Sequence, residues 1–322
     1  MRFHILGTGA IGSHIATELK ARHPVTLILR SQRAVQEFRE RNNEITYKRV
    51  GSNPRQIQGF DAVAMDDTTH MSTIETLVLA TKATHAVDAV RSVRPFLTPL
   101  STLVLLQNGM GIADELLQSL WPVPEQQPSV VIGVNRHAVE RLEPFSIQHN
   151  SGWNDKTGGL VLGALPQARQ KQVEPVLRAF AENSDMNTQV VDSPELQKRM
   201  MRKLVVNAAI NPIAGILNCT NGEMLENNHA MELSRVVCKE AAQVLTELNT
   251  TTEDLFEMIQ YMLKISKSNR CSTVQDLSNQ RLTELDYING YMCKLAKERK
   301  VDVPMNQFLL DLVHAKEKTF GA

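Results

Sequence analysis

The chain has 322 residues, enough for two domains that each bury a core of their own. Its 35 Lys and Arg balance 35 Asp and Glu, so no cationic surplus recommends nucleic acid or an anionic membrane surface as a partner. No apolar run reaches the ~18 residues a membrane-spanning helix needs, and four scattered cysteines (Cys219, Cys238, Cys271, Cys293) show neither metal-ligand nor CxxC spacing.

Residues 2–6 (RFHIL) read as a buried strand, beginning so near the first residue that no targeting peptide is expected; with reduced thiols, this points to a cytoplasmic protein. The strand runs into Gly7-Thr8-Gly9-Ala10-Ile11-Gly12, and residues 13–21 carry helical periodicity. GxGxxG is a weak signal alone, but here strand, glycines and helix come in the order that a dinucleotide site requires. Gly7 permits the tight turn, Gly9 lets backbone approach a pyrophosphate, and Gly12 lets helix pack on strand. The free amides at the helix start would meet the anion. A glycine turn with no ligand is the competing reading.

The next strand, 25–29, ends in Arg30-Ser31-Gln32-Arg33. An acid there would suit the ribose hydroxyls of NAD; cations and a hydroxyl suit a 2′-phosphate, so the cofactor expected is NADPH. Arg30 as a solvated strand-end charge is the alternative. Residues 42–72 look polar and irregular. A buried strand at 76–81 then delivers Lys82 to its C-terminal end, and a helix over 84–94 stops before Pro95. A strand at 102–106 brings Gln107-Asn108-Gly109-Met110-Gly111 to the same edge, where ligands of open parallel sheets sit. A strand at 130–134, a β excursion over 139–164 that contains Gly158-Gly159, a helix at 167–181 and a short strand at 187–191 complete the first half. The domain boundary is expected at Asp192-Ser193-Pro194, giving a dinucleotide-binding domain over 1–193 and a helical one over 194–322.

The second half has helical patterns at 195–218, 229–248, 252–266, 274–298 and 304–318. Within the first, Lys203, Asn207 and Asn211 are spaced i, i+4, i+8 among Leu, Val, Ala and Ile, which places a polar stripe on an apolar helix. Polar groups on a buried helix need partners, and a bound ligand can supply them; a face touching solvent or satisfied partners would give the same pattern. Pro212 either kinks the helix or begins a new one capped by Asn211. Asn269 to Thr273 would cap the helix near 274, whose amides and Ser272 hydroxyl make a carboxylate site. Glu284 and Asp286 are expected on that long helix and Glu240 in mid-helix, each readable as a solvated acid. No metal-ligand cluster is apparent.

These motifs carry a family resemblance. The segments GTGAIG, ATKA, QNGMG, RKLVVNAAINP, LNCTNGE, NRCSTVQD and TELDYINGY, with Arg30 after the second strand, resemble the ketopantoate reductase (2-dehydropantoate 2-reductase) family over essentially the whole chain. The resemblance implies an α/β fold: a Rossmann-type NADP-binding domain followed by an all-α domain, with the active site in the cleft between them. It implies Lys203 as the proton donor to the ketone. Asn207, Asn211, Asn221 and Asn269 become substrate contacts and Ser272 the hydroxyl that meets the carboxylate. Asn108 touches cofactor and substrate, and Glu284 lies near the nicotinamide ribose and the catalytic centre. Gly7, Thr8, Gly9, Ala10, Ile11, Gly12, Arg30 and Lys82 would contact NADPH; Val139 stands where an alanine is expected near the cofactor. Glu240 matches an acid near the site.

The function so implied is NADPH-dependent reduction of ketopantoate to pantoate, toward pantothenate and coenzyme A. The partners expected are a small 2-keto acid and, as an open alternative, a second copy of the chain in a homodimer; neither nucleic acid, membrane nor metal is expected. The competing readings are reduction of another 2-keto acid, and a non-catalytic NADPH-binding sensor or scaffold.

Overall fold

The computed structural model describes residues 1–67, 71–156 and 158–320. The chain divides into two compact units: 1–107 with 113–196, and 108–112 with 197–320. Residues 108–112 therefore belong with the helical unit, which a single boundary at 193/194 does not express. The last crossing between the units, at 196/197, falls inside the helix Ser193–Leu217 rather than in a linker.

In chain order the first unit is built from β1 (Phe3–Leu6), α1 (Ala10–Lys20), β2 (Val25–Leu29), α2 (Gln32–Glu40), β3 (Ile45–Arg49), β4 (Arg55–Ile57), β5 (Asp61–Ala64), β6 (Thr76–Leu79) and α3 (Ala86–Val93). It continues with β7 (Thr102–Leu105), α4 (Ile112–Leu120), β8 (Ser129–Asn135), β9 (Ala138–Glu143), β10 (Ser146–Ser151), β11 (Leu160–Ala164), α5 (Gln170–Ala181) and β12 (Thr188–Val190). Among the described residues eight strands form one sheet in the order β12-β11-β8-β7-β6-β1-β2-β5, parallel except where β11 meets β8. The strands β1, β2, β6 and β7 are buried along their whole length, as their unbroken apolar runs require of a sheet covered on both faces. The chain steps from β1 to β2 on one side and returns to β6 on the other, so the strand order reverses at β1. That reversal opens a crevice beyond the strand ends, at the turn after β1.

The segment 42–72, expected to be irregular, instead carries three strands, β3, β4 and β5; its residues 68–70 lie outside the described ones. β5 extends the main sheet beside β2, while β3 and β4 join β9 and β10 in a second sheet, order β4-β3-β10-β9. Ile45 and Tyr47 alternate with polar residues and point into the core, a period of two diluted by the charges around it. β3 pairs with β4 locally, but its other partner is β10, about a hundred residues later in the chain, and local sequence could not announce that pairing.

This second sheet packs on α1. As a result α1 is buried from Gly12 to Leu19 without a break, including Ser13, His14, Thr17 and Glu18. Ser13 Oγ donates to the Thr8 carbonyl and Thr17 Oγ1 to that of His14, but both ring nitrogens of His14 lack a hydrogen-bond partner.

The second unit follows as α6 (Ser193–Leu217), α7 (Asn221–Glu226), α8 (Asn228–Val244), α9 (Thr252–Ile265), α10 (Ser272–Ser278), α11 (Asn289–Arg299) and α12 (Pro304–Glu317). It contains no strand among the described residues. Its core is aliphatic and methionine-rich, centred on Val205, Ala209, Ile213, Val237, Ala241, Ile259 and Met292. No helix is long and apolar enough to cross a membrane among the described residues.

One expectation about these helices is corrected, and one open alternative is decided. The proposed long helix 274–298 is two helices separated by residues 279–288. Asn279 ends α10, Gln280 takes a left-handed conformation (φ 51°), and only a short 3-10 turn, Leu285–Tyr287, precedes α11. Glu284 therefore lies at the entry to that turn and not on a helix face. Pro212, in turn, starts no new helix: α6 runs through it, so Asn211 is not a cap. Proline lacks the N–H that would bond the carbonyl four residues back. That carbonyl belongs to Ala208, and it accepts a hydrogen bond from Asn289 Nδ2 at 3.3 Å instead.

The buried His4 on β1 provides a test of stability against pH. Burial, reinforced by the nearby Arg2 cation, lowers its pKa from 6.5 to about 4. Between those values the unfolded chain binds a proton that the native chain does not. Stability is thus full above pH 6.5 and falls as the pH drops toward 4. The loss attributable to this residue reaches up to about 3 kcal/mol. Urea unfolding at about pH 7 and about pH 5 should show a smaller acid loss for His4→Leu than for the wild type; equal losses would remove His4 from the explanation.

Candidate active site

The glycine turn assembles as the sequence spacing predicts. Gly7 has φ +102°, and a Cβ there would lie 2.6 Å from Thr81 N, so only glycine allows the ends of β1 and β6 to close up. A Cβ on Gly12 would lie 1.8 Å from the Gly7 carbonyl oxygen. Around Gly9, in contrast, nothing lies within 4 Å of where a Cβ would be. The backbone is open where a pyrophosphate would approach, beside the N-terminal amides of α1, so the residues present fit a dinucleotide. Thr8, Ala10 and Ile11 complete the turn, each half-exposed. Lys82 follows β6, half-buried, at the same end of the sheet.

Arg30 directly follows β2 and is exposed. Ser31 caps α2 by accepting from Ala34 N, and Gln32 holds two acids at the end of β5: its N–H donates to Asp66 at 2.9 Å and its Nε2 to Asp67 at 2.6 Å. These acids were not legible as neighbours of Arg30, because β5 itself was not. Val139 lies on β9 in the second sheet, opposite His149, and packs on the core of the first unit.

In the second unit the structure brings several of the expected residues together. Asn108 Nδ2 donates to Glu284 Oε2 at 3.3 Å, across 176 residues of chain. The loop carrying Asn108 is fastened there by Met110 N–H, which donates to the Tyr287 carbonyl at 2.9 Å. Gly109, at φ +87°, is needed for this approach, since a Cβ would come within 2.3 Å of that same carbonyl oxygen. The break between α10 and α11 is thus what gives the Asn108 loop a surface to dock on.

The stripe on α6 is graded in burial: Lys203 and Asn207 are half-buried, and Asn211 is 6% exposed. Asn211 lies beside the start of α10, where Cys271 Sγ donates to its carbonyl at 3.8 Å. The α10 helix begins at Ser272, with Cys271 in the cap position and making no side-chain cap bond; Ser272 is exposed in its first turn rather than being its cap. Asn221 N–H donates to the Asn269 carbonyl at 2.9 Å, and Asn221 Nδ2 to Ser266 Oγ at 2.8 Å, while its buried Oδ1 has no partner. The segments bearing Asn211, Asn221, Asn269 and Ser272 are therefore held to one another within this unit.

Glu240 does different work from a solvated or catalytic acid. It is buried, and its Oε1 accepts from Met305 N–H at 2.7 Å, its Oε2 from Asn306 N–H at 2.9 Å and from Asn306 Nδ2 at 2.7 Å. Its carboxylate satisfies the amides that open α12, where Pro304 stands at the first position. Asn306 Oδ1 accepts from Asn289 Nδ2 at 3.0 Å, the same amide that reaches Ala208 O. The four cysteines are free thiols; burial raises Cys238 to about 12, and Cys271 and Cys293 to about 11, so these three stay protonated at neutral pH.

One group escaped the sequence reading, which found no metal-ligand cluster. His14, His137 and His149 come together in the first unit, buried, with a nitrogen from each within 4.8 Å of the others. Their distance apart in the chain hides them, and no motif spacing links them.

The fold and these residues define a two-unit oxidoreductase built on a Rossmann-type sheet. Residues 3–167 match the ketopantoate reductase PanE/ApbA family and residues 195–317 its C-terminal domain, and the chain belongs to that family. A probable 2-dehydropantoate 2-reductase of Schizosaccharomyces pombe is 27% identical over 340 aligned positions, covering 97% of this chain and 95% of the relative. Among solved structures, a probable 2-dehydropantoate 2-reductase from Bacillus subtilis is 25% identical, with a TM-score of 0.76 over 98% of this chain and all of that one. A D-mandelate dehydrogenase, solved with NADH and anilino(oxo)acetate, shares the fold at a TM-score of 0.84 over the full length of both chains, with 21% identity.

The Glu240 cap can be tested directly. Glu240→Ala leaves two amides at the start of α12 and the Asn306 side chain without their acceptor, and should cost about 2–4 kcal/mol of unfolding free energy. A variant of normal stability but lowered turnover would instead place Glu240 in the reaction.

Proposed function

We propose that this protein reduces the ketone of 2-dehydropantoate to the alcohol of pantoate, with NADPH as the reductant, on the route to pantothenate and coenzyme A. The observation that carries the reading is the α6 stripe of Lys203, Asn207 and Asn211, with the segments of Asn221, Asn269 and Ser272 fastened beside it. A chain that only sensed or scaffolded a dinucleotide would have no use for this set.

NADPH, when bound, supplies the hydride that reaches C2 of the substrate. The chain's own residues do the rest. Hydride arrival builds negative charge on the ketone oxygen, where the Lys203 ammonium stabilises it and donates the proton. Asn207 and Asn211 supply amide groups along the same helix face to orient the substrate's polar groups. The Ser272 hydroxyl, with the opening amides of α10, receives the carboxylate. Asn108 and Glu284 act as a pair, the amide holding the carboxylate in place beside the cofactor ribose. Arg30 meets the 2′-phosphate, as its cation at the end of β2 favours.

The relatives supporting 2-dehydropantoate are named for that activity, whereas the neighbour solved with NADH and an aryl 2-keto acid analogue is a D-mandelate dehydrogenase. Another 2-keto acid with NADH is therefore the second reading, and the acids at the end of β5 favour it on the cofactor side. Initial rates with 2-dehydropantoate and with other branched and aryl 2-keto acids, each with NADPH and NADH, separate the two. We expect 2-dehydropantoate with NADPH to have the highest kcat/KM; an aryl substrate with NADH ahead would establish the second reading.

Two variants test the roles. Arg30→Ala should raise KM for NADPH about tenfold or more and leave NADH nearly unchanged; equal losses would make Arg30 structural. Lys203→Ala should lower turnover by about 10²–10⁴ while NADPH still binds and the thermal midpoint is kept. Near-normal turnover, or activity lost only through unfolding, would remove Lys203 from the proton-donor role.

A further inference from the structure

The three buried histidines lie where α1 meets the second sheet: His14 on α1, His149 on β10, and His137 just before β9. Their ring centroids are 4.3 Å apart for His14 and His149, 4.7 Å for His14 and His137, and 4.9 Å for His137 and His149. His137 Nε2 donates to the Met186 carbonyl at 2.9 Å, so in the neutral ring its Nδ1 carries a bare lone pair. That Nδ1 faces His149 Nε2 at 2.9 Å. His149 Nδ1 in turn is 2.7 Å from the Tyr47 hydroxyl. His14 is fully buried, and neither of its nitrogens has a hydrogen-bond partner. A buried imidazole with two unsatisfied nitrogens is costly, and fold stability alone would be better served by leucine.

The surroundings are shaped for the rings. A Cβ on Gly152 would come within 2.4 Å of His137 Nδ1, and one on Gly159 within 2.4 Å of its Cε1. Both glycines leave room that any other residue would fill, which accounts for Gly159 of the Gly158-Gly159 pair. We propose that His14, His137 and His149 form a site for a first-row divalent metal ion of the zinc type, bound by one nitrogen from each ring and fastening the second sheet to α1.

Imidazole nitrogen is a preferred ligand of zinc, and ligating histidines use their second nitrogen on a carbonyl or a polar side chain. The Met186 carbonyl does this for His137 and the Tyr47 oxygen for His149, which then ligates through Nε2. This choice releases the contact of His149 Nε2 with the Ser151 carbonyl, present at 2.9 Å. Tetrahedral zinc at ordinary Zn–N lengths places its ligand nitrogens about 3.3 Å apart, so the 2.9 Å between His137 and His149 has to widen slightly, and the span of up to 4.8 Å among the three nitrogens has to close as His14 turns toward the ion. Glu18, with a carboxylate oxygen 3.9 Å from His14 Nδ1, brings negative charge beside the cation. The nearby Arg49 is already paired with Asp185 at 3.0 Å. Glu18 and Tyr47 also line a surface cavity of about 480 Å³.

The test uses the full, untagged chain, stripped with a chelator and titrated with zinc and with cobalt. We expect one equivalent per chain, a cobalt spectrum of the tetrahedral, nitrogen-rich type, and a thermal midpoint raised by several degrees with zinc. His14→Leu should fold at least as stably as the metal-free wild type, lose the zinc-induced shift, and bind at least about a hundredfold more weakly. Tyr47→Phe should weaken binding about 10–100-fold while the fold remains. A wild type that binds no zinc, or one whose affinity is unchanged in both variants, overturns the proposal.

Discussion

The helical unit depends on how α6 passes through Pro212. A proline inside a helix removes one hydrogen bond and leaves the carbonyl of Ala208 without its usual donor. Asn289 supplies the replacement, Asn306 holds Asn289, and Glu240 holds Asn306 together with the opening amides of α12. Ser234 on α8 adds a second side-chain bond to the same stretch, donating to Ala209 O at 2.8 Å. Three helices, α8, α11 and α12, are thereby tied to one turn of α6, the turn between Asn207 and Asn211. Asn289 Oδ1 has no partner among the described residues, and removing any member would leave further buried polar groups unpaired, so the members stand or fall together. The polar residues of this unit thus divide into two sets. Glu240, Asn289 and Asn306 build the frame, and Lys203, Asn207 and Asn211 are displayed by it.

A comparable constraint governs the sheet unit, where the contact is steric. Gly7 and Gly12 exclude every side chain because backbone from β6 and from the turn itself occupies that space. Gly9 is left open. The same helix that receives this turn is enclosed on its outer side by the second sheet, which is why α1 carries Ser13, His14, Thr17 and Glu18 in positions that an ordinary surface helix would give to solvent. Ser13 and Thr17 satisfy their hydroxyls on backbone carbonyls of the turn and of α1 itself, while His14 packs against the rings of Tyr47, His137 and His149.

The Asn108–Glu284 bond shows how a loop and a helix break cooperate. The QNGMG segment leaves the main sheet and packs with the helical unit through Met110 and Gly109, onto a backbone carbonyl that a continuous helix would have kept for itself. Asp286 stays outside this arrangement and pairs with His314 at 3.2 Å on α12. Two acids two residues apart thus have separate duties, which follow from the irregular backbone between them.

By itself the sequence determined the parallel sheet of the first half, the phosphate-type turn, the helical second half and the α6 stripe. Each of these is written in a local period or in glycines whose need is steric and local. It left undecided whatever depends on partners far along the chain. The edge strand β5 pairs with β2 and β3 with β10, partners that only folding brings near, whereas β9 and β10 lie in the stretch that reads as a β excursion. Glu240 looks like any mid-helix acid until α12 presents its amides. The end of α10 at Asn279 and Gln280 is set by a left-handed residue that helical periodicity cannot reveal. The three histidines meet only because α1, β10 and the approach to β9 converge, and no spacing in the chain encodes that convergence. Local steric and hydrophobic rules are legible in one dimension; satisfying buried polar groups is a three-dimensional matter, and here the tertiary structure decided it.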